Sequence, residues 1–96
     1  MDRIVSTWRL SVDPARLDEF LELIRREMPR SRAFEGCLRF EVFANAEGAV
    51  LFVEHWESQA HADRYAAWRR GNGDMNLLGS YLVGAPQATV YRETGI

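Results

Sequence analysis

Between residues 3 and 10, Ile4, Ser6, Trp8 and Leu10 fall on one side of an extended segment and Val5 and Thr7 on the other, a period of two that predicts a strand. Both sides are partly apolar, so one is expected to pack on helices and the other to meet something else. The period then changes. In Val12-Asp13-Pro14, Asp13 can accept from free N–H groups as an N-cap, Pro14 sits where its missing donor is harmless, and Val12 can staple to Leu17. Leu17, Phe20, Leu21, Ile24 and Met28 follow at helical spacing along one stripe. Arg25 and Arg26 suit the negative end of that helix dipole, and Pro29 is expected to end the helix.

After a loop over residues 30–35, Gly36 opens a second strand over residues 37–43. A turn at residues 45–48 joins it to a third strand over residues 50–56, which together predict a hairpin. Ser58 is placed to cap a second helix over residues 59–70. Gly71-Asn72-Gly73-Asp74 ends that helix, residues 75–79 allow one further short helical turn, and a last strand is expected from 81 to 92. Pro86 fits an edge, bend or bulge better than a central ladder. The order β-α-β-β-α-β predicts an α+β, ferredoxin-like sandwich forming one domain over residues 1–96, with helices on one face of an antiparallel sheet. The other face is expected to carry Val5, Thr7, Cys37, Phe43, Leu51, Val53, Tyr81 and Val83. Left wet, these would form an apolar patch, so sheet-to-sheet packing of a homodimer into a dimeric α/β barrel is expected, with an interdigitated last strand covering an edge.

Composition narrows the function classes. Ninety-six residues that are 47% hydrophobic fit one small globule, whose core is modest enough for pairing to help. With 12 basic and 14 acidic side chains, the net charge of -2 lacks the dense positive surface that nucleic acid demands. Every basic residue is Arg, which excludes a Schiff-base or phosphate-loop lysine. Cys37 is the only cysteine, so it has no partner for an intrachain disulfide. Apolar runs are short, the chain has no signal-peptide pattern and no membrane partner is expected, so the expected location is cytoplasmic.

The segment richest in chemistry runs from Glu54 to Trp68. Strand period groups Phe52, Glu54 and Trp56 on the helix side, and helical spacing groups His61, Tyr65 and Trp68. Trp8 and Phe40 face the same space from neighbouring strands. Such walls suit a flat aromatic ligand, with Glu54, His61 or Tyr65 as polar handles. The plainer reading stands beside it: Trp8, Phe40 and Trp56 as core fillers, Ser58 as a cap, Glu54 in a structural pairing, His61 solvated, His55 on the opposite face and Cys37 buried and inert. His55 and His61 lie on different elements without ligand spacing, and no glycine-rich fingerprint follows the first strand, so neither a metal nor a nucleotide cofactor is expected.

Asp13-Pro14 after the first strand, the 17–24 helix, Gly36-Cys37-Leu38 and Glu54-x-Trp56-x-Ser58 together resemble the antibiotic biosynthesis monooxygenase family, small dimeric proteins that include cofactor-free quinol oxygenases and haem-degrading enzymes. The resemblance spans nearly the whole chain. This sequence has Tyr65 where the family usually carries a His after the Trp, and Trp8 where haem-degrading members carry an Asn. It therefore implies cofactor-free oxidation of a phenol or hydroquinone by O₂ to a quinone, ahead of haem degradation. The implied roles are catalysis by Trp56, Tyr65, His61 and Glu54, with His61 or Glu54 as base. Substrate binding is implied for Trp8, Phe40, Phe52, Arg64 and Trp68, and Tyr65 and an inward-turned Arg64 would hold the oxyanion. A non-catalytic small-ligand-binding or purely structural dimer is the alternative. Shifted titration of a polar side chain in a ligand-sized hollow separates these readings from a filled core.

Overall fold

The computed structural model describes residues 2–96. Four strands form one antiparallel sheet in the order β2-β3-β1-β4: β1 (Ile4–Ser11), β2 (Cys37–Ala44), β3 (Ala49–Trp56) and β4 (Gln87–Arg92). Three helices, α1 (Leu17–Arg32), α2 (Gln59–Gly71) and the short α3 (Asp74–Gly79), complete the β-α-β-β-α-β succession. The central strands alternate cleanly. Ile4, Ser6 and Leu10 of β1 and Val50, Phe52, Glu54 and Trp56 of β3 are buried on the helix side, where Phe20, Ile24 and Met28 of α1 and Tyr65 of α2 meet them. Val5, Thr7, Leu51, Val53 and His55 point the other way and stay half-buried.

Asp13 caps the chain's entry to the first helix, its carboxylate accepting from the Ala15 N–H at 3.0 Å. A single 3₁₀ turn (Pro14–Arg16) precedes α1, because the fixed φ of Pro14 suits a tight start. The expectation that Pro29 ends the helix is corrected: α1 continues through it to Arg32. Pro29 is exposed, so its missing donor falls where water can replace the bond, and Ala33 N–H still closes on the Pro29 carbonyl at 3.1 Å. The extra turn carries Ser31, which is fully buried. Arg32 then reaches to the β2 edge, donating from Nε and Nη2 to the Phe40 carbonyl at 3.2 and 3.1 Å.

Two further expectations are revised by local geometry. In β2 a bulge at Leu38 sets Cys37 opposite Trp56 and Arg39 opposite His55, which turns Cys37 to the helix side. Tyr81 also leaves the expected outer face, packing edge-on to Phe20 with centroids 5.6 Å apart and donating to Glu19 at 3.1 Å. The last strand starts at Gln87 rather than 81; before it, Leu82 makes one isolated bridge to Val12, and Pro86 stands just outside the ladder. The outer face therefore keeps Val5, Thr7, Leu51 and Val53, flanked by Phe43 at 51% and Tyr91 at 53% exposure.

Gly36 marks a close approach between the β2 entry and α2. Its φ of 89° lies in the left-handed region, and a Cβ there would collide with the His61 ring. Gly36→Ala combines a conformational penalty with overpacking, so it is expected to destabilise the protein by about 3 kcal/mol in urea unfolding. A loss below about 0.5 kcal/mol, the range of neutral surface changes, would refute this account of the corner.

Candidate active site

Tyr65 comes from the middle of α2 because Ser58 fixes the helix start: its Oγ accepts from the His61 N–H at 3.2 Å. Seven residues later in the helix the Tyr65 ring lies against Trp56, centroids 4.9 Å apart and tilted by 38°. Phe34 closes over both rings at 6.2 Å from Trp56 and 5.3 Å from Tyr65. Phe40 and Phe52 form the sheet floor beside them, their own centroids 5.8 Å apart. Trp56 is completely buried.

The Tyr65 hydroxyl enters a dense polar group. It lies 2.7 Å from Ser31 Oγ of α1 and accepts from Arg69 Nε of α2 at 2.9 Å. Arg69 also donates to Ser31 Oγ through Nη2, and through Nη1 to Glu27 at 3.2 Å and Asp74 at 2.8 Å. Burial works against the Arg69 charge, yet the bonds to Asp74, Tyr65 and Glu27 outweigh it and hold the guanidinium above its ordinary range. Burial likewise raises the Tyr65 phenol, and the nearby Glu54 carboxylate adds to the rise, against the lowering bonds from Ser31 and Arg69. Ser31 and Tyr65 own two hydroxyl hydrogens and spend one between themselves. Both oxygens already accept from Arg69, and no protein acceptor among the described residues takes the second hydrogen.

Glu54 sits on β3 opposite Phe40 and Ser6, 4% exposed. Trp56 Nε1 donates to its Oε1 at 3.0 Å, a bond the strand's two-residue period makes possible on one face. Burial pushes the carboxyl up to about 7, with Trp56 and the Arg69 charge holding it from rising further. At neutral pH it is therefore poised between acid and base.

A cavity of about 40 Å³ opens between these elements. Phe40, Phe52, Met28 and Ile24 give it apolar walls, Ser31, Tyr65, Arg69, Glu27 and Asp74 a polar end, and Leu77 and Leu78 of α3 a cover. That volume holds a water or two rather than a polycyclic ring. Of the residues singled out from sequence, Tyr65, Phe40 and Phe52 line it, while Glu54 and Trp56 do not reach it and are buried next to Phe40 and Tyr65 respectively. Trp68 is half-buried, between the guanidinium groups of Arg30 and Arg69, each 4.9 Å from its ring centroid. Trp8 is half-buried on the helix side of β1, opposite Phe52 and Ala88. His61 lies in a different corner, its Nδ1 2.7 Å from Ser58 Oγ and its ring against Gly36. Arg64 is exposed, and the guanidinium beside the Tyr65 hydroxyl is that of Arg69.

Ser31, Glu27, Arg69 and Asp74 were not singled out from sequence. The i,i+4 spacing from Tyr65 is a signal that could have found Arg69; Ser31, Glu27 and Asp74 lie on other elements and carry no such mark. Among the described residues no three His, Cys, Asp or Glu side chains gather as a metal site, and no helix is long and apolar enough to cross a membrane.

A family model, antibiotic biosynthesis monooxygenase, matches residues 3–71, which include β1 to β3, α1 and α2 but not α3. The chain belongs to that family. No curated protein matches it. Among solved structures, a conserved protein from Methanosarcina mazei superposes with a TM-score of 0.87 at 20% identity, over 98% of this chain and 95% of its own. A structure described as an antibiotic biosynthesis monooxygenase gives 0.83 at 18% identity, over 95% and 98% of the two chains. A monooxygenase of Streptomyces coelicolor in complex with the ligand nanaomycin D gives 0.80 at 26% identity, over 97% of this chain and 88% of that one. The first two likenesses establish the fold; the third is a family relative whose structure holds an organic ligand.

The position of Glu54 has a thermodynamic consequence. Its folded pKa, about 7, lies above the unfolded value near 4.5, so the native state binds the extra proton and unfolding releases it. Stability is thus full below pH 4.5 as far as this group is concerned and declines as pH rises from 4.5 to 7. The Glu54→Gln protein should lack that decline and exceed wild type above pH 7 by on the order of 3 kcal/mol in chemical denaturation. Parallel pH–stability curves for the two proteins would contradict the assignment.

Proposed function

We propose that the protein is a cofactor-independent monooxygenase acting on a phenolic or hydroquinone aromatic substrate, and that it works as a homodimer. The observation that carries this reading is the buried Glu54 carboxyl, bonded by Trp56 Nε1 and pushed up to about 7, in the layer that also holds Tyr65 and, further off, Arg69. A base is most useful when its pKa lies near the working pH, and few structural carboxyls are kept in that state. Membership of a monooxygenase family and the ligand-bound Streptomyces relative support the same class.

In this reading the substrate ring lies on Phe40 and Phe52, with α3 displaced to enlarge the cavity. Glu54 takes the phenolic proton, and Arg69 and the Tyr65 hydroxyl stabilise the resulting oxyanion. The phenolate gives one electron to O₂. Phenoxyl radical and superoxide then combine at a ring carbon bearing hydrogen, and the peroxide loses that hydrogen with its distal oxygen as water, leaving a quinone. One oxygen atom enters the product and the other leaves as water, so four electrons balance without an external reductant. Trp56 and Phe34 keep water from the intermediate. His61, bound to Ser58, is less suited than Glu54 to act as base, and the roles of Trp8, Trp68 and Arg64 are reduced to support at the rim.

The homodimer rests on the outer sheet face. Val5, Thr7, Leu51, Val53, Phe43 and Tyr91 give this face apolar area, interrupted by Arg9 and the Arg39–Glu41 pair, that a second copy would remove from water at roughly 25 cal/mol per Å². The second reading, a non-catalytic dimer, draws on the size of the cavity and the complete burial of Trp56.

Metal-free protein is expected to accelerate O₂ uptake with members of a naphthol and naphthohydroquinone panel. Glu54→Gln should lower kcat about a hundredfold and erase an inflection near pH 7 in the rate profile. Absence of any protein-dependent O₂ consumption across the panel would exclude the oxygenase and favour the second reading. Separately, Val53→Asp should convert the dimer to a folded monomer in sedimentation velocity, since it places a second acid beside Glu41 in the middle of the packed face; a wild-type protein already monomeric at micromolar concentration would exclude the pairing.

A further inference from the structure

Resting on that reading of the cavity, the inference concerns what the polar end recognises. Arg69 offers Nη1 to two carboxylates, Glu27 at 3.2 Å and Asp74 at 2.8 Å. The two acids are not equivalent. Glu27 belongs to α1, whose buried stripe holds it in place, and is also paired with Arg30 at 3.3 Å. Asp74 is the first residue of the six-residue α3, and Arg69 is its only ion-pair partner among the described residues. Gly73 just before it has a φ of 74°, with open space where a Cβ would stand, and Gly71 is equally uncrowded. The far end of α3 is anchored: Arg16 donates to the Ser80 carbonyl at 3.0 Å, and Tyr81 packs on Phe20. The segment is therefore fastened at one end by packing and at the other by a single ion pair beside a permissive backbone.

The same end of the cavity holds the unspent hydroxyl hydrogen of the Ser31–Tyr65 pair. A guanidinium and a free O–H converge on one place, and an apolar chamber floored by Phe40 and Phe52 adjoins it. We infer that Asp74 is an internal stand-in for the anionic oxygen of the ligand: an aromatic molecule bearing a carboxylate or phenolate displaces Asp74 from Arg69, takes the free hydroxyl hydrogen, and lifts the N-terminal end of α3 to make room for its ring. The exchange leaves no buried charge alone, because Glu27 still faces Arg69 and Asp74 moves into water. An uncharged aromatic of the same shape has nothing to exchange for the broken ion pair, so the latch selects for charge as well as for flatness.

Equilibrium binding under nitrogen tests this apart from turnover, with 2-naphthoate and its uncharged isostere 2-naphthamide as probes, followed by tryptophan fluorescence. Asp74→Asn keeps the side-chain shape, leaves Arg69 paired with Glu27, and is checked for folding by circular dichroism. It should bind naphthoate about tenfold more tightly than wild type, the scale of one charge-assisted bond, with naphthamide changed less than about twofold. In wild-type protein, naphthoate and not naphthamide should shift the amide resonances of Gly73 to Leu78. Equal tightening for both probes, unchanged naphthoate affinity, or no naphthoate binding by the Asp74→Asn protein would each overturn the inference. Binding as described without O₂ uptake would remove the oxygenase and leave the anion latch standing; turnover with no Asp74 effect would do the reverse.

Discussion

The helix layer is tied to itself by one guanidinium. Arg69 touches α1 through Ser31 and Glu27, α2 through Tyr65, and α3 through Asp74, so a single planar group links all three helices. Arg suits this role because its donors leave the plane at set angles and its charge survives burial where a Lys would shed its proton. Its side chain is only 11% exposed, which makes each of those bonds matter more than a surface pair would. Without it the Tyr65 hydroxyl would keep only Ser31 as a hydrogen-bond partner.

The same cation shapes the behaviour of the sheet below. Among the described residues Glu54 has no direct ion pair; it shares the layer with Arg69 at a distance and receives one N–H from Trp56. That support is too weak to force full ionisation and strong enough to prevent a permanently neutral acid. A closer cation would have produced an inert salt bridge, and a purely apolar setting an inert carboxylic acid. The separation of Glu54 from the Arg69 head group is thus what leaves a titratable site in the core, at a standing cost to stability that Gln would not carry.

The strands, their order and the helix-facing set on β1 and β3 follow from two-residue alternation, and the sequence pattern made them plain. What it hid has identifiable causes. Pro29 looked like a helix end, which consigned Ser31 to a loop; only the placement of the ring on the solvent side shows that the helix runs on and buries that hydroxyl. Arg69 carried no role in the sequence pattern, and an inward-turned Arg64 was expected to hold the oxyanion with Tyr65. Adjacent residues on a helix point about 100° apart, whereas the residue four positions on lies above the ring. The bulge at Leu38 similarly reversed the facing of Cys37, a one-residue event that alternation cannot anticipate.

Strand β3 joins the two halves of the proposed activity. Its even positions, Val50 to Trp56, build the buried site, and its odd positions, Leu51, Val53 and His55, build the outer face. A two-layer domain of this size leaves such a strand supported by helices on one side only. Packing a second sheet on the odd positions would restrain the backbone that aims Glu54 and Trp56, because the pleat allows neither face to shift without the other. The β2 edge is already held by Arg32 on the Phe40 carbonyl, opposite Glu54, so the strand pair carrying the carboxyl is braced from its flank as well. The short α3, held at its start by the Arg69–Asp74 pair, is the element that a ligand entering between Leu77, Leu78 and the aromatic floor would have to move.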